Sequence, residues 1–85
     1  MRLGVKLSGK SLHDVFGRVV RRRREKLGLS QEELGYKAGL HRTYVSLLER
    51  GRRNPSLNVV AALARGLGTS TVALMGDLEA EKRGK

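Results

Sequence analysis

The densest set of side chains able to read a partner lies between His41 and Leu47. Arg42 ends in a planar fork of N–H donors, which matches two neighbouring acceptors at once. Thr43 and Ser46 carry hydroxyls that donate and accept, and Thr43 adds a methyl. His41 stands at the head of the set and Leu47 adds an apolar surface further along. Base edges offer the matching chemistry: a guanidinium fits guanine O6 and N7, and a threonine methyl meets the methyl of thymine. His41 reads equally as a helix cap or a phosphate contact, and Leu47 equally as a surface leucine.

Such a set works only if something rigid presents it. The surrounding stretch Gln31 to Leu48 reads QEELGYKAGLHRTYVSLL. Leu34 and Ala38 lie one turn apart on one helix, and Val45 and Leu48 do so on a second. Gly39 stands between them, where a sharp turn needs positive φ. Gly35 lets a crossing helix approach its backbone, and Leu40 packs under the turn. These are the parts of a helix-turn-helix. They leave His41, Arg42, Thr43, Ser46 and Leu47 at the start and along the outer face of the second helix. Those positions reach base edges when such a helix enters a major groove.

Composition narrows the partner. The 85-residue chain carries 18 Lys and Arg against 8 Asp and Glu, a formal net charge of +10. An excess of this size favours polyanions, nucleic acid before anionic membrane. Two Tyr and one Phe are few for a base-stacking platform, which turns the expectation from single strands to double-stranded DNA. The length fits one small domain with a modest core, so dimerisation or a partner would add stability. Cysteine is absent, which removes disulfides and thiolate metal sites and suits a reducing cytoplasm. No apolar run approaches the roughly 20 residues of a membrane span, and no signal peptide is expected.

The remaining elements follow in order. Residues 1–10 read as a loose basic arm, either a disordered terminus or a strand that follows a phosphate backbone or minor groove. Ser11 with Asp14 forms a capping-box pattern, and a first helix runs from about Leu12 to Leu27 with Leu12, Val15, Phe16, Val19, Val20 and Leu27 at helical spacing. Residues 21–24 are four arginines in a row, which cover about 400° of a helix and cannot share one face. Arg24 continues the row of Phe16 and Val20 and is expected to face the core, where it needs a carboxylate. The other arginines read as a solvated face that suits the negative end of the helix. Ser30 with Glu33 starts the second helix. Gly51 stops the third, after Arg50, and Arg52-Arg53-Asn54-Pro55 forms a basic loop. Ser56 caps a fourth helix whose stripe is Leu57, Val60, Leu63, Ala64 and Leu67. A short fifth helix begins at Thr69 or Ser70, carries Val72, Leu74 and Met75, and is expected to end by Gly76. The domain thus spans residues 11–76, and residues 77–85 are expected to be a fraying charged tail. The fold class is all-α.

LSQEELGYKAG, TYVSLLERGRRNPSL and LARGLGTS together resemble the lambda-repressor-like, Cro/XRE-type DNA-binding domain over about residues 12–76. The single-domain length and HRTYVSLLERGRRNPSL look most like controller proteins of restriction–modification systems. The resemblance implies a five-helix bundle in which helices 2 and 3 are the reader. It implies that Gln31 touches a phosphate, as free N–H groups at a helix start allow, and that Tyr44, Arg50, Arg52 and Arg53 hold the backbone. It also implies an ion pair between Arg24 and Glu49. Gly66 departs from the family's usual helix former, at a cost of about 1 kcal/mol in a helix interior. Thr69 and Thr71 depart near the expected dimer contact.

The reading that results is a sequence-specific transcriptional regulator, with repressor activity expected, bound as a homodimer to a roughly palindromic operator in a bacterial-type cytoplasm. The dimer face is expected on helices 4 and 5, from Val59, Ala62, Leu74 and Met75. Two rivals belong to other classes: an antitoxin-like module with a protein partner and secondary DNA binding, and a charge-driven non-specific nucleic-acid binder. An enzyme is not expected. His13 and His41 sit in separate helices, and no phosphate loop, metal-ligand cluster or nucleophile–base spacing is present. No cofactor is expected.

Overall fold

Four serines and one histidine start the five helices. In the computed structural model, which describes residues 11–83, α1 spans Leu12–Lys26, α2 Gln31–Ala38, α3 Arg42–Glu49, α4 Leu57–Gly66 and α5 Thr71–Lys82. The expected arm at residues 1–10 lies outside the described residues. Ser11 and Asp14 close a reciprocal capping box at 3.2 Å in both directions. Ser30 and Glu33 do the same at 2.9 and 2.8 Å. Ser56 and Ser70 each accept one N–H from three residues ahead. These caps satisfy N–H groups that a helix start would otherwise leave without partners.

The core takes one stripe from every helix. Val15, Phe16, Val19 and Val20 of α1 meet Leu34 and Ala38 of α2, Val45 and Leu48 of α3, Val60, Leu63 and Ala64 of α4, and Leu74 and Leu78 of α5. Leu34, Leu63 and Leu74 are fully buried, each contributing on the order of 1.5–3 kcal/mol relative to exposure. α1 packs on α3 and α5, while α2 packs on α3 and α4. The chain turns by 100° between α4 and α5, which folds α5 back along α1. Among the described residues no single helix is long and apolar enough to cross a membrane.

Two glycines bring helices close together. A Cβ at Gly17 would stand 2.5 Å from the Leu48 carbonyl oxygen and 2.6 Å from that of Glu49, so α1 touches the end of α3 backbone to backbone. A Cβ at Gly66 would stand 3.1 Å from both the Ala38 Cβ and Leu34 Cδ1. The residue that departs from a good helix former is thus the point where α4 lies against α2.

Several expectations need correction. α5 does not end by Gly76 but continues to Lys82, and its second half is tied to α1 rather than frayed. Leu78 enters the core. Asp77 accepts from Arg23 Nε at 2.6 Å, and Glu81 accepts from Arg22 Nη1 at 2.6 Å and Arg18 Nε at 3.4 Å. Arg18, Arg22 and Arg23 therefore form a docking face for α5, while Arg21 stays solvated and pairs with Glu25 of its own helix. Arg18 and Arg22 lie one turn apart on α1 and both reach Glu81, while Arg23 reaches Asp77 one turn earlier on α5. Four expected stripe residues also stay outside: Leu12, Leu27, Leu57 and Val72 are exposed. Each sits in the first or last turn of its helix or just past it, where the opposite helix no longer covers the side chain.

Candidate nucleic-acid interface

The turn between α2 and α3 is tight because two glycines allow it. Gly39 takes φ 74°, the left-handed region, and closes α2. The Leu40 N–H then returns to the Gly35 carbonyl at 2.8 Å. A Cβ on Gly35 would lie 2.5 Å from the Leu40 oxygen, so the reversal requires a bare backbone at that point. Leu40 is half-buried beneath the turn, against the core.

His41 caps α3. Its Nδ1 accepts from the Thr43 N–H at 3.0 Å, which leaves Nε2 to carry the ring proton. The imidazole is exposed and thus offers an outward N–H. Val45 and Leu48 turn inward and anchor α3. Arg42 and Thr43 are exposed; Ser46 and Leu47 are half-buried along the same outer side. The structure therefore brings the five expected base-reading residues to the start and flank of one helix.

A buried ion pair locks α3 to α1 and α2. Arg24 donates from Nε to Glu49 Oε2 at 2.7 Å and from Nη2 to Oε1 at 2.9 Å, a two-pronged pair. Its Nη1 reaches the Leu29 carbonyl at 2.8 Å. The side chains retain 11% and 2% of their exposure. The hydrogen bond to Glu49 raises the Arg24 pKa further, so this guanidinium stays charged. Gln31 Nε2 adds a third donor to Glu49, at 3.0 Å. Gln31, expected at a phosphate, is thus held by α3 at the start of α2, where it stands half-buried.

The loop after α3 carries the unpaired charge of this face. Arg50, Arg52 and Arg53 are exposed and form no ion pair among the described residues. Tyr44 is half-buried with its ring against the core. By contrast Arg18, Arg21, Arg22 and Arg23 all pair with carboxylates. The pKa of Arg22 is raised and that of Glu81 lowered by their mutual hydrogen bond. Positive charge is thereby spent on α1 and left available beside α3.

The expected dimer face is only partly accessible. Val59, Ala62 and Met75 are half-buried against the core. Leu74 of α5 is fully buried in the core and offers no surface to a dimer face. The exposed large apolar residues of α4 and α5 are Leu57, at 84%, and Val72, at 80%. Both were visible in the sequence as apolar first-turn residues, but helical spacing placed them in the core. Glu32 was missed as well: its Oε1 lies 3.6 Å from Arg42 Nη1. Its signal was a carboxylate on the α2 turn that faces the start of α3.

Comparison with known proteins agrees with this geometry. Residues 15–78 match the family model described as a helix-turn-helix domain. The chain is 51% identical over 55 residues to the HTH-type transcriptional regulator y4dJ of Sinorhizobium fredii, covering 65% of this chain and 70% of that protein. It is 42% identical over 62 residues to control protein C.BamHI of Bacillus amyloliquefaciens, covering 72% and 76%. The fold superposes on the wild-type restriction–modification controller protein C.Esp1396I with a TM-score of 0.81 at 32% identity, over 87% of this chain and 97% of that one. It superposes on the controller protein C.AhdI of Aeromonas hydrophila with a TM-score of 0.71 at 42% identity, over 73% and 94%. The chain belongs to this helix-turn-helix family: it is a transcriptional regulator of the Cro/XRE type.

Proposed function

We propose that this regulator reads double-stranded DNA with α3 in the major groove and binds as a homodimer to an approximately palindromic operator. The observation that carries the reading is the split face of α3. Val45 and Leu48 are buried, while His41, Arg42 and Thr43 are exposed at its start. Ser46 and Leu47 complete the base-facing side. Gln31, Tyr44, Arg50, Arg52 and Arg53 surround it and suit phosphates. In this reading the loop arginines supply affinity by releasing counterions, and α3 supplies specificity.

Exposed Leu57 and Val72 and half-buried Val59, Ala62 and Met75 leave apolar surface on α4 and α5, which supports an apolar contact between two copies. Two reading helices would then stand about 34 Å apart, one turn of DNA. A regulator of this kind works in a bacterial-type cytoplasm, on the nucleoid.

The test is selection of bound duplexes from a random pool at physiological salt. Enrichment of a two-fold symmetric site is expected. Recovery of no consensus, with binding that disappears as salt rises, would overturn specific reading in favour of charge alone. Sedimentation at tens of micromolar, with and without the selected site, checks the dimer; a monomer in both overturns it.

A further inference from the structure

Three carboxylates sit on the two reader helices, and two are already committed. Glu33 accepts the Ser30 N–H at 2.8 Å in the capping box. Glu49 is buried under Arg24 and Gln31. The third, Glu32, reaches across the turn to Arg42, with Oε1 at 3.6 Å from Nη1. Both side chains remain open to solvent, at 73% and 65%. They line an open groove of about 410 Å³ with Tyr36, Leu40 and His41, at the point where α3 begins.

We propose that Glu32 is a positioning residue that directs Arg42 to a base edge and away from phosphate. This rests on the reading of Arg42 as a base contact. A guanidinium has five N–H donors. The Glu32 carboxylate stands at one end of the fork, at Nη1, without a hydrogen bond, which leaves the donors for the two acceptors of a guanine. Carboxylate and base can therefore be held together.

The need for such a guide follows from charge. Arg42 is the first residue of α3 and has no residue of the preceding turn to lean on. On a protein of net charge +10, a long cation at that place would meet the nearest phosphate whatever the sequence. Phosphate pairing gives affinity without discrimination. A carboxylate in the same groove repels phosphate and orients the fork. Because both partners are exposed, the pair is weak and does not hold Arg42 back from a base.

The experiment measures binding of the wild type, E32Q, E32D and R42A to the selected operator, to its single-base-pair variants and to unrelated duplex. R42A identifies the base pair that Arg42 reads; if R42A changes preference nowhere, the underlying reading of Arg42 fails, separately from Glu32. At that base pair the wild type is expected to prefer its base by roughly 10-fold or more. E32Q is expected to lower this preference at least about 3-fold and to raise affinity for unrelated duplex about 2- to 5-fold. E32D keeps the charge at the start of α2 but draws it back by one methylene, and is expected to lose preference as E32Q does. Wild-type preference in E32Q overturns the proposal. Loss in E32Q with wild-type behaviour in E32D also overturns it, because net charge alone would then explain the effect. Thermal unfolding of each variant separates a change in reading from a change in folding.

Discussion

Arg22 Nη1 donates to Glu81 Oε1 at 2.6 Å, joining residues 59 positions apart and fastening the end of α5 to α1. Glu81 also accepts from Arg18, and Asp77 accepts from Arg23 one turn earlier. These pairs hold the last turns of a helix whose only nearby core anchor is Leu78. The Arg22 hydrogen bond holds the Glu81 carboxyl below its ordinary range. A carboxylate depressed in the folded state contributes stability above its unfolded pKa and loses it as pH falls through the folded value. The docking of α5 is therefore expected to be complete at neutral pH and to weaken in acid, as pH falls below the ordinary carboxylate range. Amide hydrogen exchange of residues 77–82 as pH is lowered checks this, and E81Q is expected to remove most of the acid dependence. Identical acid profiles for E81Q and the wild type would dissociate the pair from α5 docking.

Glu49 and Glu32 are both reader carboxylates but differ in burial. Removing Glu49 strands the Arg24 guanidinium inside the fold, which typically costs about 3–5 kcal/mol. Glu32 is exposed, so E32A is expected to change the unfolding free energy by less than about 1 kcal/mol. Urea denaturation of E49A and E32A compares them directly; equal losses would contradict the structural role of the Arg24–Glu49 pair.

Two glycine substitutions should move stability in opposite directions. At Gly17 an added methyl meets the Leu48 and Glu49 carbonyls, which are backbone and cannot rotate away. G17A is expected to destabilise by about 1–3 kcal/mol or more and to shift α3. Gly76 lies within α5 with open space at its Cβ position. G76A is expected to stabilise by about 0.5–1 kcal/mol, since alanine loses less backbone entropy in a helix. A helix that stopped at Gly76 would respond the other way, so thermal melts of G76A report on the continuity of α5.

Arg42 and Arg52 should separate specificity from affinity. R42A is expected to lose about 1–3 kcal/mol of discrimination at one base pair. R52A is expected to weaken all duplexes alike and to lower the salt slope by about 1. Arg22 is unsuitable as the charge control, because its removal also frees Glu81. Binding titrations across a salt series check both variants; parallel behaviour would indicate charge-driven binding.

The cap of α3 offers a further check. H41A removes the acceptor for the Thr43 N–H and is expected to cost about 0.5–2 kcal/mol. H41N can still accept there and is expected to recover most of that loss in thermal melts.

Local signals carried most of this protein's architecture. Ser11 and Ser30, with Asp14 and Glu33 three residues on, and Ser56 after Pro55 marked helix starts because capping is settled within one turn of chain. The spacing of Leu34, Ala38, Val45 and Leu48 around Gly39 marked the reader for the same reason. Arg24 declared itself core-facing by standing in the row of Phe16 and Val20. Long-range matching was not visible in this way. That Arg18, Arg22 and Arg23 meet Asp77 and Glu81 depends on the 100° turn after α4, which no local pattern encodes. So Gly76 looked like a stop, when the ion pairs and Leu78 carry the helix past it. Periodicity likewise could not distinguish Leu74, which is fully buried, from Leu57 and Val72, which stand exposed. The reach of Glu32 to Arg42 depends on the exact closeness of two helices at Gly35 and Leu40. Residue types and short spacings were determined by the sequence alone; which faces meet, and which charges neutralise each other, was decided by tertiary packing, because both depend on distances between segments remote in the chain.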